Sequence, residues 1–315
     1  SSDMRAMNDL IIKRLKVDEE LIDLVGSHIA SSGGKRMRPM LVMLSAKLFG
    51  YKGDKAIKIA AAVEFIHMAT LLHDDVVDGS KMRRFLPTAN IIWGEKASIL
   101  VGDFLFSQSF TLIVSTENLQ ISGILSNASA VIAEGEVAQL AQLESHRILS
   151  ESEYLRVISA KTAELFASSC EVGAIMADKP DYAKRMREFG SCLGKIFQVA
   201  DDALDYFSDS ERVGKNVGDD FFEGKVTLPI ILLAGKIPEL ECKKLQKIFA
   251  AKERTQDEFS YVKDLMHRYE VQNELASYLK ALKKEADELL AKIDIENQSK
   301  KYLGDLVEFA ISRTY

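Results

Sequence analysis

Proline and cysteine are both scarce in this sequence. Only 5 of its 315 residues are proline, and none lies between Thr88 and Lys179 or after Pro238. Because proline ends helices, such stretches predict long helices. The 3 cysteines are widely spaced and form no CxxC pair, which argues against a disulfide framework and against a structural zinc site.

The sequence also lacks a long segment without charged residues. Its longest uncharged run, Asn118 to Ala133, contains several polar residues and falls short of the about 20 apolar residues that a membrane-spanning helix needs. Charges at Asp3, Arg5 and Asp9 argue against a secretory signal. We therefore expect no transmembrane segment and a cytoplasmic location. The net charge of −6 disfavours nucleic acid, whose phosphates attract basic surfaces.

Apolar residues recur at helical spacing through most of the chain. The clearest case is the segment 55–77, which predicts one long helix. Similar patterns predict helices at roughly 5–30, 37–50, 95–115, 118–143, 151–176 and 183–207, and shorter, more charged helices follow Pro238. No composition shift or repeat marks a boundary. The sequence therefore predicts a single all-α domain over residues 1–315.

An acidic motif ends the helix predicted at 55–77. Asp74, Asp75 and Asp78 follow an apolar run, and residues four apart share a helix face, so Asp74 and Asp78 point together. Like charges at this spacing destabilise a helix, and carboxylates at its C-terminus also oppose the helix dipole. One such motif could be a solvated acidic turn.

A second motif repeats the spacing at Asp201, Asp202 and Asp205, after another apolar run. Two matching motifs favour metal binding over surface charge. Aspartate oxygens suit Mg²⁺, which also bridges substrate phosphates. Di-iron sites use Glu-x-x-His pairs from several helices, whereas this sequence has one such pair, at Glu64 and His67, and none beside the second motif. The sequence therefore predicts a Mg²⁺ site.

Basic residues could supply the positive charge that an anionic ligand needs. They occur in four places: Lys35, Arg36 and Arg38 after two glycines, Arg83 with Arg84, Lys161 in an apolar helix, and Lys215 with Lys225. Each alone is explained by surface charge, except that Lys161 among apolar neighbours requires a partner or a bound anion. Together they suit two diphosphates, one held by basic groups and one bridged by Mg²⁺ to the aspartates.

With these motifs in this order, the chain resembles the trans-isoprenyl diphosphate synthases, most closely the bacterial octaprenyl diphosphate synthases. The resemblance covers about residues 31–229 and weakens toward the C-terminus. One departure is Phe85, where the family usually has glycine after the arginine pair. The segments that carry the resemblance are 33–39, 65–78, 83–84, 100–103, 134–136, 161–162, 197–205 and 214–229.

The resemblance implies a fold, a reaction and an assembly. The fold would be an isoprenoid synthase bundle of long helices around a central deep cavity, in a homodimer with the helices of 95–143 as candidate interface. The reaction would add isopentenyl diphosphate head-to-tail to an allylic diphosphate, with farnesyl diphosphate as the primer. The all-trans product would be octaprenyl diphosphate for a quinone side chain, released through transient contact with the inner membrane.

The resemblance also assigns roles to residues. Isopentenyl diphosphate would contact Lys35, Arg38, His67 and Arg84. Two or three Mg²⁺ ions would bind Asp74, Asp75, Asp78, Asp201, Asp202 and Asp205. The allylic diphosphate or its departing pyrophosphate would contact Arg83, Lys161, Thr162, Gln198, Lys215 and Lys225. Catalysis would depend chiefly on Asp74, Asp75, Asp78, Lys161 and Asp201.

Small residues before the first acidic motif favour a long product, because they would leave a channel open for the growing chain, lined by Ile66, Val63 and apolar residues of 100–133. Ala69 and Thr70 lie about one turn below Asp74, where relatives with shorter products tend to have bulky aromatics. Ordinary helix packing is the alternative explanation for both residues.

Two other functions stay open. A class I terpene cyclase also uses an aspartate-rich helix and Mg²⁺, but its second motif typically mixes Asn, Ser and Glu. A non-catalytic helical scaffold that binds divalent cations is the other.

Overall fold

The structure, a computed structural model, describes residues 2–32, 34–83, 85–208 and 217–312, and helices make up most of them. The helices before the first acidic motif are α1 (Ser2–Leu15), α2 (Glu20–Ser31), α3 (Met37–Leu48) and α4 (Lys55–Val77). A short antiparallel hairpin follows, in which β1 (Met82–Arg83) pairs with β2 (Leu86–Pro87).

The rest of the described chain is also helical. The middle helices are α5 (Ala89–Trp93), α6 (Glu95–Val114), α7 (Leu119–Glu144), α8 (Glu151–Ile158), a π-helical turn (Ser159–Ala163), α9 (Glu164–Met176) and α10 (Pro180–Phe207). The last helices are α11 (Asp219–Glu223), α12 (Leu228–Lys236), α13 (Glu239–Ala250), α14 (Gln256–Arg268), α15 (Val271–Ala291) and α16 (Gln298–Ser312). The prediction of an all-α fold is confirmed.

Most predicted helices match the observed ones within a few residues, and two do not. The prediction of one helix at 5–30 is wrong, because the charged segment 16–19 separates α1 from α2. The prediction of one regular helix at 151–176 is also wrong, because the π-helical turn interrupts it between α8 and α9. A π-helical turn inserts an extra residue into the helical repeat, and such turns are frequent at functional sites.

The chain divides into two compact units, of which the first comprises Ser1–Ser129, Leu165–Gly190 and Ile293–Leu303. Helix α4 lies at its centre and packs against α6, α3 and α1. Its side chains are buried on every side along the run Ile59–Ile66, as expected of a core helix.

Two helices of this unit, α4 and α6, are long and apolar enough to cross a membrane by length and composition alone. Length and composition are weak evidence for a membrane span, because the core helices of soluble proteins meet the same criteria. In α4, 67% of the apolar segment is buried inside the protein.

The second unit comprises Ala130–Glu164, Ser191–Lys292 and Gly304–Tyr315. An aromatic cluster forms part of its core: the ring of Phe259 lies 5.2 Å from that of Phe221 and 6.0 Å from that of Tyr206. The Phe259 ring also lies close to Gly218, where a Cβ atom would collide with it. The single domain over 1–315 and its central cavity stay predictions.

Candidate active site

The first acidic motif ends α4, and its middle residue is held inside the protein. Asp75 is 1% exposed. The guanidinium of Arg83 donates from Nη2 to Asp75 Oδ1 over 2.7 Å and from Nε to both carboxylate oxygens over 3.2 Å. This charge-assisted contact offsets part of the cost of collecting three carboxylates at a helix C-terminus.

The hairpin that carries Arg83 is fixed to the end of α4. The side-chain amide of Asn90 donates to the backbone oxygens of Asp75 and Ser80, and the Thr88 hydroxyl donates to Ser80 over 2.7 Å. At the hairpin turn Phe85 has φ +67°, a conformation that favours glycine. The departure at Phe85 therefore keeps a glycine-like backbone. The predicted residue Arg84 lies outside the described residues.

Helix α6 supports the residue before the first motif. His73 Nε2 lies 3.1 Å from the backbone oxygen of Ile99 and 3.3 Å from Asp103 Oδ1. A Cβ atom at Gly102 would collide with the His73 ring. The segment 100–103, part of the resemblance, therefore holds α6 close against α4 at the acidic motif.

The basic segment 34–38 leads into α3 and contacts α4. Arg36 caps α3 with φ +51°, pairs through its guanidinium with Glu64, and donates to the backbone oxygen of Ala30 over 2.9 Å. Both partners are largely buried, Arg36 at 16% and Glu64 at 5% exposure. The pair fixes the backbone between Lys35, which is exposed, and Arg38.

Two predicted substrate-binding residues meet beside α4. Arg38 Nη1 lies 3.2 Å from His67 Nε2, and the Arg38 guanidinium lies 4.6 Å from the centre of the Phe166 ring. His67 precedes Asp74 by seven residues, about two turns, so both lie on one face of α4, which Asp78 extends. This face therefore carries the contact of His67 with Arg38 two turns below two carboxylates.

In the second unit, Lys161 and Thr162 lie on the π-helical turn. The Lys161 ammonium donates to Glu136 over 2.6 Å and to Gln139 over 2.7 Å. The partner that the sequence requires for this lysine is thus a protein carboxylate. A Cβ atom at Gly135 would lie 2.8 Å from the Lys161 backbone nitrogen, so glycine there permits close contact between α7 and the π-helical turn.

The second acidic motif has a buried middle residue as well. Asp202 accepts hydrogen bonds from the Tyr154 hydroxyl over 2.6 Å and from the Gln198 amide over 2.8 Å, and Gln198 accepts one from Thr162 over 2.8 Å. Burial raises the pKa of Asp202, as does the nearby charge of Asp220. Burial and the charge of Asp202 raise the pKa of Tyr154, so its hydroxyl remains a donor.

The last residue of that motif anchors the segment after it. Asp205 Oδ2 accepts a hydrogen bond from the Asp220 backbone N–H over 3.1 Å. The backbone oxygen of Asp205 accepts one from the Gly218 backbone N–H over 2.9 Å. Lys225 pairs with Glu223 over 2.6 Å. The predicted residue Lys215 lies outside the described residues.

The carboxylate oxygens of both motifs are the ligand type that Mg²⁺ prefers. Among the described residues, no group of three or more acidic, histidine or cysteine side chains is arranged to hold a metal ion. The donor chemistry therefore fits Mg²⁺ if a substrate diphosphate and water complete its coordination, which is the usual way that Mg²⁺ binds with phosphates.

A family model described as polyprenyl synthetase matches residues 19–266. The chain belongs to the polyprenyl synthetase family. It is 47% identical to the octaprenyl diphosphate synthase of Escherichia coli (strain K12), over 73% of this chain and 72% of that one. It is 44% identical to the geranyl-diphosphate-specific all-trans-nonaprenyl-diphosphate synthase of Rhodobacter capsulatus, over 73% and 71%.

A solved structure of similar fold is the Caulobacter crescentus CB15 polyprenyl synthase complexed with calcium and isoprenyl diphosphate. It has a TM-score of 0.94 and 41% identity, covering 100% of this chain and 95% of that one. The predictions of an isoprenoid synthase fold and of a trans-prenyltransferase are thereby confirmed.

Two residues predicted to set product length in this polyprenyl synthetase lie on α4 in the first unit. Ala69 is buried, while Thr70 is half-buried and donates its hydroxyl to the His67 backbone oxygen over 2.7 Å. Ile66 and Val63 below them are buried too. Their part in a product channel stays a prediction.

Sequence reasoning gave no role to several residues that hold this site together. They are Glu64, Glu136, Tyr154, Asp220 and, as a structural rather than ligand-binding cation, Arg36. A charged residue inside an apolar helix, such as Glu64, was the available signal, since burial requires a partner. Tyr154 offered none, because buried tyrosines are common in cores.

Proposed function

We propose that this enzyme elongates an allylic diphosphate, with farnesyl diphosphate as primer, by head-to-tail addition of isopentenyl diphosphate in the presence of Mg²⁺. The all-trans product is octaprenyl diphosphate, the precursor of a quinone side chain. Relatives named for eight-unit and nine-unit products, at 47% and 44% identity, support a long product.

The face of α4 that carries His67, Asp74 and Asp78 supports this proposal most directly. The contact of His67 with Arg38 places the Arg38 guanidinium, which donates to His67 Nε2, at one spot on this face, which suits the diphosphate of the isopentenyl substrate together with Lys35 and Arg84. Carboxylates two turns away on the same face suit a metal-bridged diphosphate instead. A protein that bound only metal would have no use for the basic half.

Two or three Mg²⁺ ions would be held by Asp74, Asp78 and Asp201, with Asp75 and Asp205 as further candidates, whereas both Asp202 oxygens already accept hydrogen bonds from protein donors. When bound, Mg²⁺ neutralises the allylic diphosphate and stabilises the pyrophosphate that leaves it. The allylic diphosphate itself is held by Arg83, Lys161, Thr162, Gln198, Lys215 and Lys225.

Basic side chains assist the reaction between the two substrates. The bond between the allylic carbon and the diphosphate oxygen breaks, the allylic carbon bonds to the terminal carbon of the isopentenyl double bond, and a proton then leaves to the pyrophosphate. Lys161 and Lys225 stabilise the negative charge that develops on the leaving group. Closure of the site must exclude water, which would otherwise capture the carbocation.

The test is a product assay on purified protein. Radiolabelled isopentenyl diphosphate and farnesyl diphosphate are supplied with Mg²⁺, and the dephosphorylated product is sized by mass spectrometry. We expect one long all-trans chain. Conversion of the allylic substrate without uptake of label would indicate a terpene cyclase instead, and no turnover would indicate a scaffold.

A matched variant separates catalysis from folding. Asp74→Ala should abolish turnover and leave the helical circular dichroism unchanged, because the residue lies half-buried at the end of α4. If the variant retained full activity, the metal-binding role of the first motif would be wrong.

A homodimer is part of the proposal. Helices α6 and α7 expose large apolar side chains, among them Leu100 at 67%, Val114 at 65% and Leu119 at 91% exposure, and such surfaces commonly mark interfaces. Light scattering on protein eluting from a size-exclusion column should give twice the mass of one chain.

We also propose a cytoplasmic enzyme that contacts the inner membrane transiently. Co-sedimentation of the protein with lipid vesicles would test the membrane contact.

A further inference from the structure

A buried chain of hydrogen bonds links four side chains in the second unit. Tyr154 on α8 donates to Asp202 Oδ2, Gln198 donates to Asp202 Oδ1, and Thr162 donates to Gln198 Oε1. The distances are 2.6, 2.8 and 2.8 Å. Tyr154, Thr162 and Asp202 are buried, and Gln198 is half-buried.

The hydrogen bonds run in one direction along the chain. The side-chain amide nitrogen of Gln198 donates to Asp202 Oδ1, so the NH₂ end of Gln198 faces Asp202. The Oε1 end of Gln198 then faces Thr162, whose hydroxyl must donate to it. Tyr154 holds Asp202, Asp202 orients the Gln198 amide, and the Gln198 amide in turn orients the Thr162 hydroxyl.

The π-helical turn makes this arrangement possible. Tyr154 and Thr162 are eight residues apart, and in an unbroken α-helix they would lie about 80° apart around the axis. The wider π-helical turn at Ser159–Ala163 rotates Thr162 back toward the face of Tyr154. Both then contact α10, on which Gln198 and Asp202 are four residues apart and share a face.

We infer that Tyr154 is a positioning residue for the allylic half of the reaction, acting through Asp202 on Gln198 and Thr162. The inference deepens the proposed function, because it depends on Gln198 and Thr162 contacting the allylic substrate. It also gives Asp202 a different part from Asp201: both Asp202 oxygens accept hydrogen bonds from protein donors, so its role is to hold Gln198.

The first test compares two tyrosine-to-phenylalanine variants. Tyr154→Phe removes the hydroxyl and keeps the ring, whereas the control Tyr269→Phe removes a hydroxyl bonded to Glu241 over 2.9 Å, away from the chain of hydrogen bonds. We expect kcat of Tyr154→Phe to fall about tenfold, as for loss of a buried hydrogen bond. KM for isopentenyl diphosphate should not change, and Tyr269→Phe should match wild type.

The second test asks what Asp202 does. Asp202→Asn should lower kcat as Tyr154→Phe does. The double variant should be no slower than the slower of the two single variants, because each substitution interrupts the same chain of hydrogen bonds. The Mg²⁺ concentration that gives half the maximal rate should stay at its wild-type value.

Three results would overturn the inference. Tyr154→Phe and Tyr269→Phe could have equal kcat; the two lesions at Tyr154 and Asp202 could be additive; or Asp202→Asn could raise the Mg²⁺ requirement, which would make Asp202 a metal ligand. Thermal unfolding of each variant shows that it is folded at the assay temperature. If Tyr154→Phe does not fold, Asp202→Asn and its Mg²⁺ titration decide. Wild-type protein that fails to incorporate isopentenyl diphosphate overturns the proposed function itself.

Discussion

The ion pair between Arg36 and Glu64 should be among the most costly single interactions to break in the first unit. Arg36→Met keeps much of the side-chain volume but leaves Glu64, 5% exposed, without its guanidinium partner and leaves the Ala30 backbone oxygen without a donor. Removing one partner of a buried ion pair typically costs about 3–5 kcal/mol, because the other charge stays buried and uncompensated. We expect a loss of stability in that range.

A double variant tests whether the buried charge is the cause. Arg36→Met combined with Glu64→Gln leaves no uncompensated charge, so it should be more stable than Arg36→Met alone by about 1–3 kcal/mol. The control is Lys47→Met, which breaks an exposed pair with Asp3 (47% and 28% exposed) in the same unit. That change should cost at most about 1 kcal/mol.

Urea unfolding, monitored by circular dichroism, gives the free energy of unfolding of all three variants. The buried charge is not the cause if Arg36→Met lowers the free energy of unfolding no more than Lys47→Met does, or if the double variant is less stable than Arg36→Met alone. Under conditions where Arg36→Met is folded, KM for isopentenyl diphosphate should rise, because Arg36 fixes the backbone between Lys35 and Arg38.

Three further outcomes are expected. Ala69→Phe should shorten the product by several isoprene units on reversed-phase chromatography, and an unchanged product would place the channel elsewhere. Phe85→Gly should stabilise the protein by about 1–2 kcal/mol in urea unfolding, since it relieves a left-handed conformation at φ +67°; no gain would mean that contacts of the Phe85 ring offset the strain. Removal of Mg²⁺ with EDTA should stop turnover and leave the helical circular dichroism intact, and activity that survives would exclude a divalent metal from the reaction.

The long helices could be predicted because their apolar pattern is local. Helices α4, α6 and α7 begin and end within a residue or two of the expected positions. The break at 16–19 was missed because apolar spacing continues across it. The π-helical turn was missed because it depends on where Tyr154 and Thr162 meet α10, and such contacts leave no periodic signal.

The candidate site could be predicted only as a set of residue types. The rule that residues four apart share a face identifies Asp74 with Asp78. It cannot show that the hairpin returns Arg83 to Asp75, or that Lys161 pairs with Glu136, because these partners are distant in sequence or depend on a turn.

These partners show how three aspartates of equal appearance can differ in function. Asp75 accepts from Arg83, Asp202 from Tyr154 and Gln198, and Asp205 from a backbone N–H. Each contact stabilises a carboxylate that burial would otherwise disfavour, and each ties an acidic motif to an element that must be held in place. At least one aspartate of each motif therefore secures the motif itself.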